Sequence, residues 1–244
     1  MCTLIFLHRP GADWPLLLAG NRDERVDRPA DPPGRWWPDR PDVRAGRDRL
    51  ADGSWFGVND HGVAAAMLNR PGTLGPAPGK RSRGELVLEA LDHADAAVAA
   101  EALVELNPHA YRPFNLVVGD SQDAIWLKHD GTRMTAQPIP PGLSVLTAND
   151  LNDPGDARIS RHRPIFEGLP LPDPATGDWS HWIAALGAGA AAGRSDALCL
   201  PVLDGFGTVS STLLALPHTP GRSTPPKLWH AEGPPDRTAF APLP

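Results

Sequence analysis

The chain opens with residues 2–24, CTLIFLHRPGADWPLLLAGNRDE, whose pattern sets its first two strands. Two short apolar segments, 2–8 and 15–22, flank a turn at 9–13 that contains proline, glycine and aspartate. This arrangement predicts a β-hairpin. The first segment is too apolar for an exposed terminus, so we expect its strand to lie inside a sheet with a neighbour on each side.

Further along, the pattern predicts more hairpins and then helices. Strands at 54–59 and 63–69 form a second predicted hairpin, in which Gly62 supplies the positive φ of the turn. The other predicted elements, in chain order, are helices 85–93 and 95–106, strands 114–120, 124–130 and 143–147, helices 157–168 and 179–192, and strands 209–216 and 227–231. Hairpins followed by helices and further strands predict an α+β fold with helices packed on stacked antiparallel sheets.

Helix ends and loops are marked by residue type. Ser82 and Glu85 have the spacing of a capping box, Asp95 is the predicted N-cap of the following helix, and Pro164 is expected to interrupt helix 157–168. The 29 prolines and 24 glycines cluster in stretches that we interpret as long ordered loops rather than linkers between domains: 28–41, 71–79, 138–142, 170–177 and 217–235. We therefore predict a single domain over 1–244.

Composition excludes several classes of protein. The net charge of −6 argues against a nucleic-acid partner, which usually requires a basic face. Two cysteines cannot form a disulfide framework. The N-terminal apolar run is short and lacks a basic region before it, and no apolar stretch approaches the roughly 20 residues of a membrane helix. We expect a soluble cytoplasmic protein without a membrane span.

Cys2 follows the initiator methionine directly. Removal of Met1 would place a thiol of pKa about 8.5 and an α-amine of pKa about 7.7–8.0 on one residue. The amine could then accept the thiol proton, as it does in N-terminal nucleophiles. A cysteine at position 2 is more often incidental, so its meaning depends on the rest of the chain.

Several motifs together resemble those of one family. They are the Met-Cys-Thr start, Asn-Arg-Asp-Glu at 21–24, WFGVNDHGVAAAMLN at 55–69, FNLVVGD at 114–120, LTAN at 146–149 and GFGTVSST at 205–212. The chain resembles the NRDE family, also called the transport and Golgi organisation 2 family. This resemblance implies an N-terminal nucleophile hydrolase fold, a four-layer αββα sandwich. A more distant similarity points to choloylglycine hydrolases and penicillin V acylases, in which a cysteine exposed by methionine removal attacks an amide carbonyl.

The resemblance also implies site residues. Cys2 matches the nucleophile, Asp23 would hold the α-ammonium group, and Arg22 would orient the thiolate or a substrate carboxylate. The acylases separate their arginine and aspartate by two residues, whereas here the two are adjacent. Strand alternation places Asn21 and Asp23 on one face and Arg22 on the other, so which of the residues from Asn21 to Glu24 face Cys2 stays open.

Two asparagines match residues of the oxyanion site. Asn69 ends the second hairpin and Asn149 follows strand 143–147. Each could instead cap local backbone. The chain departs from the family at 151–158, LNDPGDAR, where many relatives carry Leu-Asp-x-Pro-Trp, and it has no arginine near 209–212 to match a late arginine of the choloylglycine hydrolases.

These residues favour two functions. The first is a cysteine amidohydrolase or acyltransferase that acts on a small amide or acylated substrate without a cofactor. The alternative is a non-catalytic ligand-binding or trafficking protein for haem or a lipid-related ligand, in which Cys2 or His8 would contact haem iron. A third possibility is a degenerate fold used only for interaction. Cys199 is interpreted as a small buried hydrophobic residue, and the pair Trp36 and Trp37 either lines a ligand groove or packs onto the body.

Overall fold

A computed structural model describes residues 2–189, 193–219 and 224–244 of the chain. Its strands are β1 (Thr3–His8), β2 (Leu16–Arg25), β3 (Ala30–Gly34), β4 (Val43–Asp48), β5 (Phe56–Asn59), β6 (Ala64–Asn69), β7 (Phe114–Gly119), β8 (Ala124–His129), β9 (Met134–Pro138), β10 (Gly142–Leu146), β11 (Phe206–Leu216), β12 (Lys227–Ala231) and β13 (Ala241–Leu243). Its α-helices are α1 (Gly84–Leu91), α2 (Ala96–Val104), α3 (Ala157–Gly168) and α4 (Ser180–Leu186).

The strands form two antiparallel sheets. The first sheet has the order β10-β1-β2-β11-β12-β13, and the second follows the chain from β3 to β9. Because β1 pairs with β10 on one side and β2 on the other, the opening strand is interior, as its apolar sequence predicts. Gly62 has a φ of 92° in the β5–β6 turn, which confirms its predicted role.

Three apolar clusters hold four layers together. Between the sheets, Leu4 and Phe6 of β1 pack in one cluster with Val58 and Leu68 of the second sheet. A second cluster joins the outer face of the second sheet to α1 and α2, and a third joins the outer face of the first sheet to α3 and α4. The four-layer αββα architecture and the α+β class are therefore confirmed.

Several local predictions differ from the structure. The capping box is wrong: α1 has Arg83 at its N-cap with no side-chain cap, and Glu85 accepts a hydrogen bond from the Tyr111 hydroxyl instead. Asp95 does cap α2, through a hydrogen bond from the Val98 amide. Pro164 lies within α3 without ending it. The helix predicted at 179–192 is α4, which ends at Leu186, and residues 190–192 lie outside the described part.

Four strands were not predicted: β3, β4, β9 and β13. The composition of segment 28–41 predicts a loop, but the segment contains β3. The pairing of β3 with β4 shifts register between Asp31 and Gly34 and so leaves Pro32 and Pro33 outside the regular ladder. Such an edge strand tolerates prolines, which have no N–H to donate to a ladder.

A β-bulge distorts the first sheet where the Asn-Arg-Asp-Glu segment ends β2. The register between β11 and β2 shifts between Thr208 and Ser210, which pair with Asp23 and Arg22 respectively. One residue of β11, Val209, is therefore extra at this point. Bulges bend a strand and change where its side chains point, so this irregularity bears directly on the candidate site.

Candidate active site

A cleft of about 480 Å³ lies where the start of β1 meets the ends of β2 and β6. It brings together four of the five predicted site residues: Cys2, Arg22, Asp23 and Asn69. Asn149 is not among the residues that line it.

Cys2 lies directly before β1 and is half-buried. Its Sγ atom is 3.7 Å from the backbone carbonyl oxygen of Asp23, to which the thiol donates. Burial raises the pKa of the Cys2 thiol, and the neighbouring carboxylate charge of Asp23 raises it further. The thiol is therefore held in its neutral form unless a base takes its proton.

Asp23 is buried at the base of the cleft. Its Oδ1 atom accepts a hydrogen bond of 2.6 Å from the Thr208 hydroxyl, and its Oδ2 atom lies 3.7 Å from Nη1 of Arg158. Burial raises the pKa of Asp23, against the opposing effects of Thr208 and Arg158. Arg158 also donates to the Thr3 hydroxyl over 2.8 Å and so ties α3 to the start of β1. No local sequence pattern indicates a role for Arg158, because its partners Thr3 and Asp23 lie far away in the chain.

Arg22 and Asp23 both line the cleft, although simple alternation would place them on opposite faces. Their side chains still turn to opposite sides of β2: that of Asp23 meets Thr208 and Arg158 of α3, whereas that of Arg22 meets Trp55 beside the second sheet. The Arg22 guanidinium stacks 4.2 Å from the centroid of the Trp55 ring, a cation–π contact. Asn21 is tied elsewhere: its Nδ2 atom donates to the carbonyls of Leu186 and Leu198.

The two predicted oxyanion residues have different surroundings. Asn69 ends β6, lines the cleft, and makes no side-chain hydrogen bond to the described residues. Asn149 lies between β10 and α3, where its Nδ2 atom donates to Asp156 over 2.9 Å and its carbonyl accepts from Asn115. Of these two asparagines, Asn69 is the one that lines the same cleft as Cys2.

The remaining candidates lie outside the cleft. The indole N–H of Trp36 donates to the Pro32 carbonyl and that of Trp37 to the Asp52 carbonyl, so both tryptophans pack onto the body. Cys199 is buried, and burial together with a nearby carboxylate raises its pKa to about 11. The Nε2–H group of His8 donates to the Gln122 carbonyl.

The sequence does not predict the other basic residues of the cleft. Two of them, Arg83 and Arg112, donate to the proline- and glycine-rich segment at 71–79. With these two, five further basic side chains line the cleft beyond Arg22: Arg28, Lys80, Arg81, Arg83 and Arg112. Over the described residues there is no group of three or more His, Cys, Asp or Glu side chains that could hold a metal ion. In the same residues, no helix is both long enough and apolar enough to cross a membrane.

A model of a known protein family matches the larger part of the chain. The model of the family described as Transport and Golgi organisation 2 matches residues 1–167. The chain is 32% identical over 129 residues to the Transport and Golgi organization protein 2 homolog of Bos taurus, which covers 49% of this chain and 45% of that protein. It is 30% identical over 133 residues to the Homo sapiens homolog, or 51% of this chain and 47% of that one. The match thus spans about half the length of these curated relatives.

Solved structures extend the likeness over the whole chain. An N-acylethanolamine-hydrolyzing acid amidase ortholog from Caenorhabditis elegans superposes with a TM-score of 0.64 at 13% identity over 100% of both chains. A variant of the conjugated bile acid hydrolase from Clostridium perfringens gives 0.55 at 13% identity, over 99% of this chain and 96% of that one. At this level of identity the likeness shows the fold alone. The chain therefore belongs to the Transport and Golgi organisation 2 family and has the fold of the N-terminal nucleophile hydrolases.

Proposed function

We propose that this protein is a cysteine N-terminal nucleophile amidohydrolase or acyltransferase that acts on a small amide or acylated substrate after removal of Met1. The observation that carries the proposal is the meeting of Cys2, Arg22, Asp23 and Asn69 in the lining of one cleft, where the Asn69 amide makes no hydrogen bond to any described residue. These four residues come from three strand ends and form the constellation that acyl transfer requires: a nucleophile, charged neighbours and an oxyanion donor.

The base in this proposal is the α-amine of Cys2. Burial raises the pKa of the thiol, so the sulfur is a poor nucleophile until a neighbouring group takes its proton. Loss of Met1 converts the peptide nitrogen of Cys2 into an amine with a pKa of about 7.7–8.0, which is partly neutral at physiological pH. Asp23, buried beside Cys2, would hold the ammonium form once the proton has moved.

The reaction then has two halves. The α-amine accepts the thiol proton while the sulfur attacks the carbonyl carbon, and the Asn69 amide donates to the oxygen that becomes negative. Collapse of this intermediate breaks the C–N bond, and the α-ammonium returns its proton to the departing amine. In the second half, water gives a proton to the α-amine and attacks the thioester, which releases the acid and restores the thiol. An amine that replaces the water gives acyl transfer.

Measurement of the intact mass tests whether Met1 is removed. Protein purified from its native host should be lighter than the full sequence by one methionine. The mature protein, incubated with a panel of N-acyl amides and thioesters and then quenched in acid, should show an acyl adduct on the Cys2 peptide. A Cys199→Ala variant is the matched control and should form the adduct as the wild type does.

Retained or acetylated Met1 throughout the population would contradict the hydrolase, because the α-amine would be unable to act as base. That result would favour the ligand-binding alternative. Haem or a lipid-related ligand, with Cys2 or His8 near the iron, is the form of it that the sequence suggests. Absorption spectra of the protein mixed with hemin, compared between wild type and Cys2→Ser, would then be the next measurement. A cytoplasmic location likewise stays a prediction.

A further inference from the structure

The charge of the cleft is opposite to that of the whole chain. The chain carries a net charge of −6. Six cationic side chains nevertheless line the cleft (Arg22, Arg28, Lys80, Arg81, Arg83 and Arg112), against three carboxylates (Asp23, Glu24 and Asp48). The cleft therefore has an excess of three positive charges within an acidic protein.

The carboxylates of the cleft are already matched by other cations. Asp48 accepts a hydrogen bond of 2.9 Å from Nε of Arg28, whose Nε also lies 3.9 Å from a Glu24 oxygen. Asp23 faces Arg158, which is outside the lining. Arg81 pairs with Glu85, outside the lining, over 2.6 Å. Among the described residues, the lining arginines without a carboxylate within ion-pair distance are therefore Arg22, Arg83 and Arg112.

Arg83 is fixed by neutral groups. Its Nη1 atom donates to the Thr73 hydroxyl over 2.8 Å and to the Pro113 carbonyl over 3.0 Å, and its Nη2 atom donates to the Thr73 carbonyl. These acceptors orient the guanidinium without cancelling its charge. Across the described residues it makes no ion pair with a carboxylate.

Arg112 is fixed in the same way by the segment 71–79, part of which lines the cleft. Its Nη1 atom donates to the carbonyls of Leu74 and Gly75 over 3.0 Å each, and its Nη2 atom donates to the Gly72 carbonyl over 2.8 Å. Burial, followed by the positive charges of Arg112 and Arg28, lowers the pKa of Arg83 to about 10. Arg83 therefore stays charged at neutral pH and is repelled by both neighbours.

Charge effects connect several of these arginines with one another and with Cys2. The charge of Arg22 acts on the Cys2 thiol, Arg28 acts on both Arg22 and Arg83, and Arg112 acts on Arg83. Arg28 has carboxylate partners, but Arg22, Arg83 and Arg112 have none among the described residues. Their like charges repel, and a bound anion would relieve that repulsion. A cleft of about 480 Å³ has room for such a group beyond the reacting carbonyl.

We infer that the substrate of this cleft carries an anionic group, a carboxylate, sulfonate or phosphate, which Arg83 and Arg112 bind at a distance from the scissile bond. This inference rests on the proposed function, since it names the class of substrate for that same site. The substrates of this enzyme would thus be amides or acylated compounds that carry a negative charge rather than neutral amides.

Two alkylating agents that differ only in charge test the inference. Mature full-length protein is treated with iodoacetate or iodoacetamide, and labelling of the Cys2 peptide is followed by mass spectrometry. The ratio of the two rates is divided by the same ratio for a short cysteine peptide. We expect Cys2 to prefer the anionic reagent by about tenfold or more at low salt, with the preference shrinking as salt screens the cleft.

Variants locate the effect. Arg112→Gln and Arg83→Gln should each lower the preference for iodoacetate, whereas Arg112→Lys should keep most of it. Arg133→Gln is the matched control, because Arg133 is exposed, pairs with Asp130 and does not line the cleft. If Arg83→Gln fails to fold, the salt series on the wild type and the variants Arg112→Gln and Arg112→Lys still decide whether the cleft binds an anionic group.

Thermal shift reads anion binding without using Cys2 at all. At constant ionic strength, phosphate or acetate in place of chloride should raise the Tm of the wild type and of Arg133→Gln, but not that of Arg112→Gln. A larger shift with phosphate points to a phosphate or sulfonate group, and a larger shift with acetate points to a carboxylate. No shift with either anion, together with a Cys2 ratio equal to that of the peptide, overturns the inference. A Cys2 that neither reagent labels counts against the proposed function, and the thermal shift then decides the inference alone.

Discussion

At the scale of single residues, Asn69 and Asn149 look alike in the sequence because both follow a buried strand. In the structure they differ: the first has an amide open to the cleft and the second has its amide bound to Asp156. An oxyanion donor must be free to meet charge that develops only during the reaction. Substitution should therefore separate a role in turnover from a role in folding.

For Asn69→Ala we expect a fall in kcat of about 10²–10³-fold with an unchanged Tm, because the amide supports only the transition state. Steady-state kinetics on any substrate found for the wild type provide the measurement. An unchanged kcat would make Asn69 a structural residue of the β5–β6 hairpin.

For Asn149→Ala we expect a loss of stability of about 1–3 kcal/mol, since its hydrogen bond to the buried Asp156 is lost. Urea denaturation measures this loss. A variant with full stability and a much lower kcat would instead support the oxyanion role implied by the family resemblance.

The two cysteines should differ in reactivity once Met1 is removed. Cys2 gains an internal base, whereas Cys199 keeps a pKa of about 11 in a buried position. Limited iodoacetamide treatment at pH 7, followed by peptide mapping, should label Cys2 first. Protein that retains Met1 is the control and should label slowly at both positions; equal rates in the mature protein would argue against an activated thiol.

At the scale of elements, the position of Arg22 depends on the close contact between Gly46 of β4 and Trp55, which directly precedes β5. A Cβ atom on Gly46 of β4 would overlap the indole of Trp55, on which the Arg22 guanidinium stacks. The absence of a side chain at this one position therefore lets the tryptophan lie flat under the arginine.

For Gly46→Ala we expect a destabilisation of about 1–3 kcal/mol, as in other overpacked sites, together with slower labelling of Cys2 by iodoacetate because Arg22 is displaced. Gly168→Ala at the end of α3 is the control, since a Cβ atom there has no neighbour within 4 Å. Thermal unfolding and the labelling rate are the two measurements. An unshifted Tm would mean that Trp55 can move at little cost.

The elements also indicate how far sequence can lead. Regular alternation and turn residues predicted β1, β2, β5 and β6, because their side chains alternate between two definite layers. The edge strand β3 was missed since its prolines are typical of loops. No local pattern predicts the bulge at Val209 or the contacts of residues 21–24. The sequence therefore leaves open which of these residues face Cys2. Arg83, Arg112 and Arg158 act through contacts that no local pattern encodes.

At the scale of the whole molecule, buried histidines make stability depend on pH. His129, His162 and His230 lie in different parts of the fold, and burial is the main cause that lowers the pKa of each, to about 4 for His230. In the unfolded chain a histidine has a pKa of about 6.5. As the pH falls below that value, the unfolded chain takes up protons that the folded chain does not, so the free energy of unfolding must decrease.

Urea denaturation at pH 7.5, 6.0 and 5.0 should accordingly show a steady loss of stability, steepest below about pH 6.5. In His230→Gln the dependence on pH should be shallower than in the wild type. His181→Gln, which alters an exposed histidine on α4, should leave the slope as it is. Parallel slopes in all three proteins would show that His230 takes up its proton in the folded state as readily as in the unfolded chain.

The interior position of β1 has a practical consequence for anyone who handles this protein. Since β10 and β2 flank the strand and Cys2 lines the cleft, a peptide fused upstream of Cys2 would begin at the cleft. An affinity tag at that end would crowd the cleft and, under the proposed function, would leave Cys2 without a free α-amine. The strand β13 lies at the edge of its sheet, far from this constraint in the strand order, so a tag or reporter belongs after Pro244.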